Sequence, residues 1–274
     1  LGSLESKLSP ISIDLQSPPE PIRGEPMAVI AGNWKMHMGP DEVAGFFDSF
    51  DVAAIPATQE LLIFPPSVSL RAAVQASPRD PRVQIGVQNI HWEDGGAYTG
   101  ETSAGMARAA GATFVLIGHS ERRHVFGETD QQTARKVEAA RRHGLVPVLC
   151  VGETLQERQT GRVSEVILRQ LDVALPALSA GGERFLIAYE PVWAIGTGET
   201  ATQEDASEAH GTLRRRLEGS LGIADGVAVP LLYGGSVKPE NASELLAAPD
   251  VDGVLVGGAS LDPGSFARIA SARL

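Results

Sequence analysis

Three titratable residues stand where apolar runs end, and their types could together move a proton. Glu190 closes one such run, in Tyr189-Glu190-Pro191-Val192-Trp193. A carboxylate held away from water there is expected to have a raised pKa and to be a stronger base; the ordinary alternative is a core carboxylate paired with an arginine. His119 closes another run, just before a short helical turn. The N-terminus of a helix disfavours the imidazolium, so a neutral ring is expected, able to donate to a developing oxyanion. Lys35 follows a third run, in Asn33-Trp34-Lys35. It is either a solvated lysine or a cation facing an anionic ligand, and its position favours the ligand.

Glycine turns supply the second ingredient. Gly234-Gly235-Ser236 and Gly257-Gly258 follow two neighbouring runs, and Gly196-Thr197-Gly198 follows Glu190. Such turns let backbone N–H groups approach an anion closely, although a single one more often serves only a tight turn. Several together point to a phosphate, and with the base to proton transfer on a small phosphate ester. The stretch 191–198 is apolar and framed by proline and glycines. Exposing Trp193 and Ile195 would be unfavourable, so this stretch is expected to be a lid that excludes water from a substrate. His37, His91, His124, His143 and His210 lack comparable neighbours and read as surface or packing residues. Neither HExxH nor CxxC occurs, so no metal site and no cofactor are expected.

The elements that must position these groups are legible as a rhythm. Apolar runs rich in β-branched residues occupy 28–33, 61–65, 83–89, 113–118, 146–151, 184–190, 229–234 and 253–258. Being apolar on both parities, they read as strands buried on both faces of a parallel sheet. Helical patterns fall at 41–50, 67–75, 129–143, 163–178, 202–217 and 239–247. Ser67 and Thr202 are candidate N-caps, Pro239 a first-turn proline, and His143-Gly144 a stop. This alternation leaves an open doubly wound sheet or a closed (β/α)8 barrel. The first strand leads into Gly32-Asn33-Trp34-Lys35 rather than a dinucleotide-binding glycine turn, and the number of strands favours a single-domain α/β (β/α)8 barrel. In that fold chemistry sits at the C-terminal strand ends, where Asn33, Lys35, His119, Glu121, Glu190, Ser236, Gly257 and Gly258 all fall.

Composition narrows the partners. The 274 residues are 43% hydrophobic and 21% charged, with a net charge of -11. No basic footprint for nucleic acid is present, and no apolar run approaches the ~20 residues of a membrane span. A single cysteine, Cys150, permits no internal disulfide, suits a reducing compartment and reads as packing. Residues 1–26 hold five prolines and no clear periodicity, and are expected to be a disordered extension before a catalytic domain at 27–274; Met27 could be a natural start. The long loop 89–101, with Trp92 and Tyr98, suggests a partner surface.

At Ala31-Gly32-Asn33-Trp34-Lys35-Met36-His37, at 117–123 (IGHSERR), at 189–198 (YEPVWAIGTG), at 232–237 (LYGGSV) and at 253–261 (GVLVGGASL), the chain closely resembles the triosephosphate isomerases. The resemblance runs from about Val29 to the C-terminus. It implies a cytoplasmic enzyme of glycolysis and gluconeogenesis that interconverts dihydroxyacetone phosphate and D-glyceraldehyde 3-phosphate through an enediolate. Glu190 would be the base and neutral His119 the electrophile. Lys35 would stabilise charge, Asn33 would donate to the substrate oxygen, and Glu121 would position Lys35 or His119. Backbone N–H groups of Gly196, Ser236, Gly257 and Gly258 would hold the phosphate. The resemblance also implies a homodimer through loop 89–101, with Thr99 approaching the second subunit's site. Two positions depart from the family pattern: His37, where asparagine is frequent, and Glu199, where lysine is frequent. Another phosphate-binding barrel enzyme would share the glycine turns but not the set of Lys35, His119 and Glu190; a non-catalytic relative would be expected to have lost one of the three.

Overall fold

The computed structural model describes residues 28–195 and 201–272. The expected extension 1–26, and Gly196, Thr197, Gly198 and Glu199, lie outside the described residues. Eight parallel strands close into a barrel in chain order: β1 (Ala28–Asn33), β2 (Gln59–Phe64), β3 (Val83–Val87), β4 (Phe114–Ile117), β5 (Val146–Val151), β6 (Leu186–Tyr189), β7 (Leu231–Tyr233) and β8 (Gly253–Val256). Ala28 lies opposite Gln59 at one seam, and Val29 opposite Gly253 at the seam that closes the ring.

The two-sided apolar pattern now has its cause. One parity of side chains, including Val29, Leu62, Phe64, Phe114, Leu116 and Leu255, fills the barrel interior. The other parity, including Ile30, Ile63, Ile117, Leu149 and Ile187, packs against the helices. Each such fully buried aliphatic side chain is worth about 2 kcal/mol of transfer free energy.

The helical layer comprises α1 (Val43–Ser49), α2 (Leu70–Ala76), α3 (Ala104–Ala110), α4 (Ser120–His124), α5 (Asp130–Arg142), α6 (Leu155–Gln159), α7 (Val163–Ser179), α8 (Gln203–Leu221), α9 (Ile223–Ala228), α10 (Ala242–Leu246) and α11 (Pro263–Ala270). Thr202 caps α8 through a capping box with Asp205. His143 ends α5, and Gly144 takes a left-handed φ of 66°. Two expected start signals are not used. Ser67 opens a 3-10 turn that leads into α2 and caps nothing. Pro239 lies in the turn before α10, which starts after Asn241. The helices α3, α6, α9 and α11 have no counterpart among the helical patterns expected from sequence. Their ends are still encoded: Ser103 caps α3, Thr154 caps α6, and Asp262 caps α11.

Candidate active site

Glu190 leaves β6 into the barrel mouth, and its neighbours make room for it. A Cβ on Gly152 would sit 1.8 Å from the Glu190 carbonyl oxygen, and one on Gly234 would sit 2.9 Å from its Cγ. Both positions therefore require glycine for close approach. The Glu190 backbone N–H donates to the Val151 carbonyl at 2.7 Å, which ties it to the end of β5. Its carboxylate is almost fully enclosed, at 2% exposure. Oε2 accepts the Ser120 N–H at 2.8 Å, and Oε1 lies 2.9 Å from His119 Nε2.

His119 is the N-cap of α4, and its Nδ1 accepts the Glu121 N–H at 3.2 Å. In the neutral ring that bond leaves the proton on Nε2, which donates to Glu190. The contact between the two side chains corrects both sequence-based pKa expectations. Burial pushes Glu190 up, but the imidazole and the Ser120 N–H outweigh it and hold the carboxyl below its ordinary value. Burial pushes His119 down, but the Glu190 carboxylate outweighs it and lifts the ring above its ordinary value. Local sequence around either residue does not reveal a partner on a different strand.

Lys35 carries backbone strain, with φ 51° at a non-glycine residue. Three contacts hold it. Its N–H donates to Asn33 Oδ1 at 3.0 Å, and its carbonyl accepts Gln88 Nε2 at 2.8 Å. Its Nζ donates to Glu121 Oε1 at 2.6 Å. The preceding Trp34 is fully buried and donates its indole N–H to the Ser260 carbonyl at 3.1 Å. The chain is thus pinned on both sides of the strained residue, which fixes the ammonium at the mouth.

Asn33, Lys35, His119, Glu190, Ser236, Gly257 and Gly258 line one cavity of about 270 Å³. Glu121 stands behind Lys35 without lining it, and Gly196 lies outside the described residues. The cavity also receives Lys238, a second cation that sequence reading passed over because it follows the glycine turn instead of ending a strand. Gln88 was visible as a strand end but had no assigned task. Of the expected lid, Val192–Ala194 forms a 3-10 turn with Ala194 buried. Trp193 Nε1 donates to Glu153 Oε1 at 2.8 Å, and Glu153 also accepts the Tyr189 hydroxyl at 3.1 Å. Cys150 is fully buried in β5. Among the described residues, no group of three or more His, Cys, Asp or Glu could hold a metal ion, and no helix is long and apolar enough to cross a membrane.

Arranged this way, the mouth offers an ionised carboxylate, an imidazole N–H and an ammonium around one small volume. That set can take a proton from carbon, receive the charge on oxygen and neutralise an anionic group. Comparison with known proteins agrees with it. The family model described as triosephosphate isomerase matches residues 28–273. Triosephosphate isomerase of Moorella thermoacetica is 48% identical over 242 residues, covering 88% of this chain and 96% of its own. Those of Solibacter usitatus and Thermoanaerobacter pseudethanolicus are each 46% identical, covering 88% of this chain and 97% of their own. The chain belongs to the triosephosphate isomerase family.

Proposed function

We propose that the chain interconverts dihydroxyacetone phosphate and D-glyceraldehyde 3-phosphate, with Glu190 as base. The observation that carries this reading is the convergence of Glu190, His119 and Lys35 on one cavity beside the 234–236 and 257–258 turns. The Glu190 carboxylate takes the proton from the carbon next to the carbonyl. The C–H electron pair forms the carbon–carbon double bond of an enediolate, and the carbonyl pair moves onto oxygen. His119 donates Nε2–H to that oxygen and passes the proton between the two oxygens. Glu190, now protonated, returns its proton to the neighbouring carbon. No electrons leave the substrate, so the reaction needs no redox cofactor.

The hydrogen bonds support these roles. Because His119 Nδ1 already accepts a backbone N–H, protonating the ring would sacrifice that bond. The imidazole is therefore suited to act as a neutral donor once substrate separates it from Glu190. Asn33 has Oδ1 committed to the Lys35 N–H, which leaves its Nδ2 to face a substrate oxygen. Lys35 stabilises the enediolate and phosphate charge, and Glu121 positions Lys35. Backbone N–H groups at Gly196, Ser236, Gly257 and Gly258 hold the phosphate.

The assembly assigned by the same reading is a cytoplasmic homodimer formed through loop 89–101. Residues 94–101 are all exposed, with Tyr98 at 44%. Met36, at 93% exposure, and Val68, at 73%, line a second cavity of about 530 Å³ next to Lys35 that such a loop could fill. In a coupled spectrophotometric assay, the pure folded dimer is expected to turn over either triose phosphate without added metal or cofactor. Absence of turnover would overturn the reading.

A further inference from the structure

Arg158, on α6, reaches two segments of chain that flank residues 196–200 on opposite sides. Its guanidinium carbon lies 4.8 Å from the centroid of the Trp193 ring, before that stretch. Its Nη2 forms an ion pair with Asp205, after that stretch. Its Nη1 lies 3.5 Å from Glu153 Oε1, the same oxygen that accepts the Trp193 indole N–H and the Tyr189 hydroxyl. Each partner is anchored in turn. Asp205 completes the capping box of α8, with Oδ2 accepting the Thr202 N–H at 3.0 Å. Glu153 is fully buried, and its carbonyl accepts the Val192 N–H at 3.1 Å. Arg158 is delivered by a five-residue helix that has its own capping box at Thr154 and Glu157, so its starting point is fixed.

A planar cation is suited to this place. It can lie over an indole face and use separate edges for two carboxylates, a combination that an ammonium cannot reproduce. The consequence runs along the chain. Trp193 lies inside the turn that starts at Pro191, directly after the proposed base. The Ala194 N–H closes that turn onto the Pro191 carbonyl at 2.8 Å. The Val192 N–H and the Trp193 indole N–H both tie this turn to Glu153, so a guanidinium packed on the Trp193 ring braces the segment that follows Glu190, while the Asp205 contact fixes the start of α8 against the same guanidinium.

We propose that Arg158 is a positioning residue for the reaction: it clamps Trp193 and the N-terminus of α8 to one cation and thereby fixes the aim of Glu190. This rests on the isomerase reading above. Arg158→Gln is expected to lower kcat about 10-fold while changing KM by less than about 2-fold, with the fold retained. Arg158→Lys, which keeps the charge but loses the planar face, is expected to recover only part of the loss. Asp205→Asn should lower kcat in the same direction by a smaller factor, and combining it with Arg158→Gln should add nothing further, because Asp205 acts on the rate only through Arg158.

The deciding readout is the indole N–H resonance of Trp193, assigned by its disappearance in Trp193→Phe. It is expected to shift in Arg158→Gln while those of Trp34 and Trp92 stay in place. An unmoved Trp193 resonance, or a loss of Tm with kcat unchanged, would overturn the proposal. If the parent protein turned over no triose phosphate, the isomerase reading would fail, whereas the resonance would still decide whether Arg158 positions Trp193.

Discussion

The two ends of the barrel both bury charge at strand termini, but they do different things with it. At the N-terminal end, Glu60 on β2 gives both carboxylate oxygens to Arg184, which also lies 5.6 Å from the centroid of the Phe114 ring. Nearby, Arg214 donates Nη1 to the Gly226 and Val229 carbonyls at 2.7 Å and Nη2 to Asp252, which also accepts the Leu231 N–H. These cations face acceptors fixed by the fold. At the C-terminal end, His119 and Glu190 touch each other and Lys35 is paired with Glu121, but all three also face an open cavity. Backbone strain does not separate the two ends: Lys35 has φ 51° and Asp250, beside Arg214, has φ 62°. What separates them is whether the charges are committed to protein partners or left facing a space that a ligand can enter. Committed charges hold the fold together, and the others can do chemistry.

The sharpest way to break this contrast is Glu190→Asp. It withdraws the carboxylate by one methylene from the cavity, and from the His119 and Ser120 contacts, without removing charge. Misplacement of a reacting group by about 1 Å can cost about 100-fold. We expect kcat to fall by about 100- to 1,000-fold, far more than KM rises, with little change in Tm. Unchanged kcat in steady-state assays would remove Glu190 from the role of base.

That contrast was only half legible in sequence. The strands β1 and β5 fall on the expected runs 28–33 and 146–151 residue for residue, because both parities must be apolar there. The run ending in Tyr189-Glu190 overshoots because Glu190, past the end of the strand, stays buried in the mouth, and the run ending in Gly257-Gly258 overshoots into the turn after β8, where Gly257 is half-buried and Gly258 exposed. Lys35, His119 and Glu190 were legible as polar residues ending apolar runs. Their mutual contacts were not, so the pKa directions of His119 and Glu190 came out reversed. Arg158 was not legible for a related reason: its partners Trp193 and Asp205 belong to other segments that only the fold brings to it, and Gln88 had no task because its partners, the Lys35 and Phe64 carbonyls, lie on the two preceding βα units.

His210, on α8, tests the fold-holding class by pH. Its Nδ1 donates to the Asp250 carbonyl at 2.9 Å, and its Nε2 is buried without a hydrogen-bond partner among the described residues. Burial, reinforced by Arg214, brings its pKa from 6.5 down to about 4. Between these values the unfolded chain binds the extra proton and the folded chain does not, so stability rises with pH across the window and is lost as pH falls from 6.5 to about 4. The full loss is about 3 kcal/mol, from roughly 1.4 kcal/mol per unit. His210→Asn retains a donor for Asp250 and is expected to be less stable at pH 7, with a shallower fall in denaturant midpoint on acidification. A slope equal to that of the parent would show that His210 titrates normally and belongs to neither class.

The smallest effect is expected at the barrel floor, where the contrast predicts a loss of stability with no loss of chemistry. The Glu60 side chain is 5% exposed and that of Arg184 is 31% exposed, so the pair is screened by water from the arginine side only. Arg184→Met leaves the Glu60 carboxylate enclosed and unpaired. Removing one partner of a fully buried pair costs 3–5 kcal/mol; with Arg184 partly open to water, about 2 kcal/mol is expected. Replacing both, as Glu60→Leu with Arg184→Met, removes the stranded charge along with its partner. The double variant should return to within about 1 kcal/mol of the parent, because an apolar pair of similar volume often replaces a buried ion pair without loss. In both variants kcat should stay at the parent value, since the floor lies at the opposite ends of the strands from the cavity. Urea titrations and steady-state rates on the same preparations give both readings. A double variant no more stable than Arg184→Met, or a floor variant that slows turnover, would mean that the two ends of the barrel are not separable as fold and chemistry.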